Sequence, residues 1–152
     1  MVVQKEGFTV VGLRRVTPRG GGTWELADGV NQTLEALCGH GCDLGLCFGF
    51  GADGSNDYMC GVEWNGAEAG LSDICSENSL DCYTFPPAGW MLVEARGKIS
   101  EHALDKGWAR ANGMLLASGY KKAALPTVEK YISWDNDADS CHVQIWIPVE
   151  KR

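Results

Sequence analysis

The sequence predicts one α+β domain made of a duplicated strand-helix-strand-strand unit, with a mainly antiparallel sheet, two helices on one face and a ligand cleft between the halves. Three observations carry this. Apolar residues alternate at period two in short runs, they recur at helical spacing in two longer runs, and the order strand, helix, strand, strand occurs twice, over residues 7–64 and 86–149. A chain of 152 residues is the size at which a single hydrophobic core is the default.

In the first repeat, residues 7–14 are rich in β-branched side chains and read as a strand that stops at Thr17-Pro18-Arg19-Gly20-Gly21-Gly22. Thr23 then caps a helix whose buried stripe is Leu26, Val30, Leu34 and Leu37, with Gly39 and Gly41 as stop signals. Residues 44–50 alternate Leu44, Leu46, Phe48 and Phe50 with small residues, residues 51–56 have turn composition, and residues 58–64 form the return strand. The connection over residues 65–85 lacks periodicity and is expected to order only in part.

The second repeat opens with a strand over residues 90–96, followed by Ser100 as a cap and Glu101 in the first turn of a helix. Its stripe is Ala103, Leu104, Trp108, Ala111 and Leu115, weakened by Gly107 and Gly113 and ended by a left-handed Gly119. Strands over residues 127–133 and 142–147 close the fold around the acidic turn 135–139.

Neighbouring residues on a strand face opposite ways, so parity assigns faces. Val143, Ile145 and Ile147 are expected to meet the helices, which leaves His142, Gln144 and Trp146 on the open face. Val128 and Ile132 are likewise expected to point inward, with Thr127, Glu129 and Tyr131 beside Trp146, while Lys130 breaks the pattern and calls for a bulge or a sheet-end position.

Composition excludes several functions. A formal charge of −7 argues against nucleic acid, whose binding depends on clustered Lys and Arg, and mildly favours cationic partners. The N-terminus lacks a signal-peptide pattern and no stretch approaches the ~18 apolar residues of a membrane span, so a cytoplasmic protein is expected. Seven irregularly spaced cysteines read as reduced thiols. No metal is expected, because Cys38-Gly39-His40-Gly41-Cys42 with Cys47 matches no zinc spacing, and no cofactor is expected, because Gly20-Gly21-Gly22 lacks the Lys-Ser/Thr of a phosphate loop.

The sharpest feature is Glu129 with Tyr131, Gln144 and Trp146, joined by Tyr58, Trp64 and Trp90 from other strands. A carboxylate among aromatic rings is poorly hydrated, and its ionised form is costly until a cation arrives. Each ring face attracts a cation by roughly 0.5 to 2 kcal/mol, without imposing one hydrogen-bond pattern. Small hydrophobic organic cations are therefore the expected partners. The plain alternative is that six tryptophans form core and rim, and that a Glu on a strand is solvated.

Val128-Glu129-Lys130-Tyr131, the acidic turn, and Gln144-Ile145-Trp146-Ile147-Pro148-Val149 together resemble the C-terminal signature of GyrI-like effector-binding domains. The segments 8–14, 58–64, 86–90 and 118–120 are similar to the same family. The resemblance implies the sensor half of bacterial multidrug-responsive and AraC-type regulators, in which the Glu of the Glu-x-Tyr strand, here Glu129, meets the ligand cation. Many relatives carry Glu where this chain has Gln144. No helix-turn-helix fits before Phe8 or after Arg152, so a stand-alone effector-binding domain with no direct nucleic-acid contact is expected. Two other readings stay open from the resemblance: a hydrolase of electrophilic small molecules using Glu129 as general base with Tyr131 or a Trp positioning the substrate, and a gyrase-inhibitor-type interaction module docking through residues 65–87. A homodimer or a protein partner is compatible with each.

Overall fold

A computed structural model describes residues 2–19 and 21–152; Met1 and Gly20, the latter within the expected glycine turn, lie outside them. In chain order the elements are β1 (Val2–Lys5), β2 (Phe8–Thr17), α1 (Thr23–Cys38), β3 (Leu44–Phe50), β4 (Asn56–Glu63), α2 (Leu71–Glu77), β5 (Asp81–Phe85), β6 (Ala88–Gly97), a 3-10 turn (Ile99–Glu101), α3 (Ala103–Ala117), β7 (Tyr120–Lys122), β8 (Thr127–Asp135) and β9 (Ser140–Lys151). The protein is α+β with antiparallel strand pairing, as expected. Contacts divide it into an N-terminal unit, Gly7–Pro86, and a C-terminal unit, Pro87–Arg152 with residues 2–6. Among the described residues no helix is long and apolar enough to cross a membrane.

The N-terminal unit has strand order β3-β4-β2-β5. Helix α1 lays Val30 and Leu34 against Val11 of β2 and Val62 of β4, in the stripe its spacing predicts. Burying a side chain such as Leu34 stabilises the unit by about 1.5–3 kcal/mol. Gly39 ends the helix in the left-handed region at φ 88°, its N–H donating to the Glu35 carbonyl 3.0 Å away. Thr23 does not cap this helix; it is the first helical residue, and Gly22 occupies the cap position without a side-chain hydrogen bond.

Residues 65–85 are more ordered than their composition suggests. Helix α2 places Leu71 and Cys75 in the same core, joined by Leu80, and β5 pairs with β2 from Phe8↔Phe85 to Gly12↔Asp81. Two turns of helix are too short to display a period, and β5 is held by the edge of β2 rather than by its own pattern.

The C-terminal unit has strand order β1-β6-β9-β8, with β7 beside the last residues of β9. Val143, Ile145 and Ile147 form the core with Met91, Val93, Ala95 and Ala111, and Leu104, Trp108 and Leu115 of α3 pack onto it. Gly107 sits at the closest approach of helix to sheet: a Cβ there would lie 2.5 Å from the Ala95 Cβ and 3.2 Å from the Ile145 Cδ1. The glycine that weakens the isolated helix is thus what lets it dock.

The order strand, helix, strand, strand occurs in β2-α1-β3-β4, which α2 and β5 follow, and in β6-α3-β8-β9, where β7 is inserted. Two end signals read differently in three dimensions. Ser100 lies in the 3-10 turn and binds Asp139 through both its hydroxyl and its N–H, so it does not cap α3, which begins after a left-handed His102. Helix α3 ends at Ser118 in an extended conformation, and Gly119 is not left-handed.

Candidate functional site around Glu129

The position of Glu129 follows from strand pairing. Residues directly opposite on antiparallel strands share a face. Glu129 lies opposite Ile145 and Tyr131 opposite Val143, so both point to the side covered by α3. From α3, the indole Nε1 of Trp108 donates to Glu129 Oε2 at 2.6 Å, and the Tyr131 hydroxyl donates to Glu129 Oε1 at 3.0 Å. Both donors are neutral, so neither cancels the negative charge of the ionised carboxylate.

Beyond Tyr131 the register shifts by a bulge before Ser133. The shift puts Trp134 opposite Cys141, on the same face as Tyr131, and the two rings meet edge to face with centroids 5.9 Å apart. The carboxylate thus lies between Trp108 and Tyr131, with Trp134 beyond Tyr131, each ring partly exposed. Such an arrangement offers ring area to a ligand together with one anionic group.

Strand pairing separates the other expected members from this group. Trp146 lies opposite Val128 and Leu92, and Gln144 opposite Lys130 and Glu94, so Gln144 and Trp146 face away from α3. Trp90 joins them there, its ring 6.1 Å from that of Trp146. The expectation that Glu129 and Tyr131 share a face with Trp146 is therefore corrected. That second face is not open: Trp90 and Val128 are 0% exposed and Trp146 7%. The apolar character of Val128 reflects burial on the side away from α3. Strand β9 is buried on both faces from Ile145 to Val149, and there an apolar residue no longer marks the helix side.

The Trp146 ring already meets cations of its own chain, with Lys5 Nζ 4.3 Å and Lys130 Nζ 5.9 Å from its centroid. Its Nε1 donates to Gln144 Oε1 at 3.3 Å, and Gln144 Nε2 donates to Glu94 Oε1 at 3.1 Å, while the second Glu94 oxygen meets His142 Nε2. The His142 contact, helped by Gln144 and opposed by burial, holds the Glu94 carboxyl below its usual range. In the N-terminal unit, Tyr58 is buried on the α1 side of β4 with Cys60 and Val62. Trp64 packs at the edge of the same core and donates to the Ala67 carbonyl at 3.1 Å.

Two members of the Glu129 group were not anticipated. Trp108 reads in the sequence as part of an apolar stripe, yet its indole N–H requires an acceptor when partly buried, and that was the available signal. Trp134 joins only because of the bulge, which alternation alone does not reveal.

No protein-family model matches the sequence, and no curated protein matches it. Solved structures do resemble it. SAV2435 bound to tetraphenylphosphonium is 21% identical with a TM-score of 0.65, over 99% of this chain and 93% of that one. The EcmrR C-terminal domain is 15% identical with a TM-score of 0.69, over 100% and 97% of the two chains. An integron cassette protein of Vibrio cholerae is 16% identical with a TM-score of 0.65, over 99% and 95%. The chain therefore has the fold these proteins share, in agreement with its resemblance to GyrI-like effector-binding domains.

Proposed function

We propose that this chain is a GyrI-like small-molecule-binding domain that takes hydrophobic organic cations, with Glu129 as the anionic contact and Trp108, Tyr131 and Trp134 as the aromatic surroundings. The observation that carries the reading is the Glu129 carboxylate held by two neutral aromatic donors on the helix-covered face. A delocalised lipophilic cation gains from such a group twice, by charge and by ring contact. That SAV2435 binds tetraphenylphosphonium, a cation of this class, supports the reading. Rings and one charge impose no fixed hydrogen-bond pattern, which favours breadth of ligand and suits sensing or sequestering.

The test is a thermal-shift titration with tetraphenylphosphonium against neutral triphenylphosphine oxide. The cation stabilises the fold increasingly with concentration, by about 2.7 kcal/mol at one hundred times Kd, and the neutral compound does not. Equal stabilisation by both compounds, or binding by Glu129→Gln as tight as by the native chain, overturns the proposal.

A further inference from the structure

A second feature of opposite charge lies elsewhere in the C-terminal unit. Arg96, Gly97 and Lys98 at the end of β6, Glu101 of the 3-10 turn, and Lys106 and Arg110 of α3 line a cavity of about 100 Å³, with Ala103 at the start of the helix. Four of the chain's 13 lysines and arginines thus surround one small space in a protein of net charge −7. Among the described residues none of these four is within ion-pair distance of a carboxylate, whereas Arg14, Arg15 and Lys121 are paired. Glu94 and Asp139, the acids that Arg96 and Lys98 influence from further off, are held by His142 and Ser100.

The backbone shapes this cavity. The pairing of β1 with β6 ends at Met91, which leaves the upper edge of β6 to Arg110, whose guanidinium donates to the Glu94 carbonyl at 2.7 Å. Gly97 turns the chain at φ 141°, a value side chains rarely adopt. No side chain caps α3, so the positive end of its dipole adds to the four cations.

We propose that this cavity binds a phosphate group, either as the free anion or as the phosphomonoester of a small molecule. The Arg110 guanidinium, fixed at the Glu94 carbonyl, and the mobile ammonium groups of Lys98 and Lys106 match a tetrahedral oxyanion, which requires several donors from several directions. The volume suits one such group and is too small for the bulky aromatic cations proposed at Glu129. Glu101 in the same lining opposes any anion and so limits the affinity.

The experiment is a titration of the full chain with inorganic phosphate, and separately with adenosine monophosphate, at ionic strength held constant with sodium chloride. Amide NMR shifts at residues 96–110 report binding. Saturable shifts are expected with at least one of the two, about tenfold weaker in K98Q/K106Q, while the double variant keeps its tetraphenylphosphonium response. Saturation by inorganic phosphate alone assigns the free anion, and tighter saturation by the monophosphate assigns the ester. Shifts that follow ionic strength whatever the anion, or a double variant that binds as the native chain does, overturn the proposal. Glu129→Gln leaves the phosphate response intact, so this inference and the cation reading fail independently.

Discussion

Trp108 Nε1 stands 2.6 Å from Glu129 Oε2, so α3 and β8 are joined through the carboxylate on which the proposed function rests. A hydrogen bond to a charged acceptor stabilises a fold by about 1.5–3 kcal/mol, more than a neutral bond. One wall of the site is therefore also a tie between helix and sheet.

Trp108→Phe keeps most of the ring and removes the donor. Urea unfolding is expected to show a loss of about 1–3 kcal/mol. A midpoint equal to that of the native chain would mean that the bond contributes nothing in solution.

For ligand affinity the two faces of the C-terminal sheet behave differently. Glu129→Gln is expected to weaken tetraphenylphosphonium binding by about tenfold or more, equivalent to about 1.4 kcal/mol. Trp146→Phe, on the face away from α3, leaves affinity within about twofold although it lowers stability through its buried ring. Calorimetric titration separates the two, and a tenfold loss in the Trp146 variant would return that residue to the site.

Two glycines of one helix give opposite predictions. Gly107→Ala adds a methyl group where only 2.5 Å separates it from Ala95, and it is expected to cost about 1–3 kcal/mol despite the better helix propensity of alanine. Gly113 has open space around it, so Gly113→Ala stabilises by about 0.5–1 kcal/mol. Thermal melts of the two variants should move in opposite directions.

The pH dependence of stability has an identifiable source in Arg14 and Asp57. The side-chain hydrogen bonds from Arg14, at 2.9 Å to each Asp57 oxygen, hold the Asp57 carboxyl below its ordinary value of 3.8, opposed by burial and helped by the Arg14 charge. A depressed carboxyl stabilises the fold above its unfolded value and loses that contribution as pH falls through the folded one. The contribution is small, because both side chains are more than a third exposed. Asp57→Asn should lose less stability than the native chain between pH 4 and pH 2, on the order of tenths of a kcal/mol by urea titration; parallel curves for the two proteins would exclude this pair as a source.

Local pattern carried much of the architecture. Strand β3 has the limits that alternation predicts, and β2, β4, β6, β8 and β9 extend the expected strands by a few residues at one or both ends. The elements that pattern missed are short ones held from outside: β1, β5 and β7 by pairing with β6, β2 and β9, and α2 by the core contacts of Leu71 and Cys75. The expected cap at Ser100 failed for a related reason, since its hydroxyl is claimed by Asp139, far along the chain.

The amino-acid sequence alone determined the order of the main strands and helices, and also that Glu129 and Tyr131 share a face, because a strand repeats every two residues wherever it lies. Which face that is, and that Trp108 and Trp134 stand beside them, was decided only by the tertiary structure. Alternation marks an inside and an outside when one side of a sheet is wet; here both sides of β9 are buried, so the choice passed to strand register, a bulge and a helix docked through Gly107.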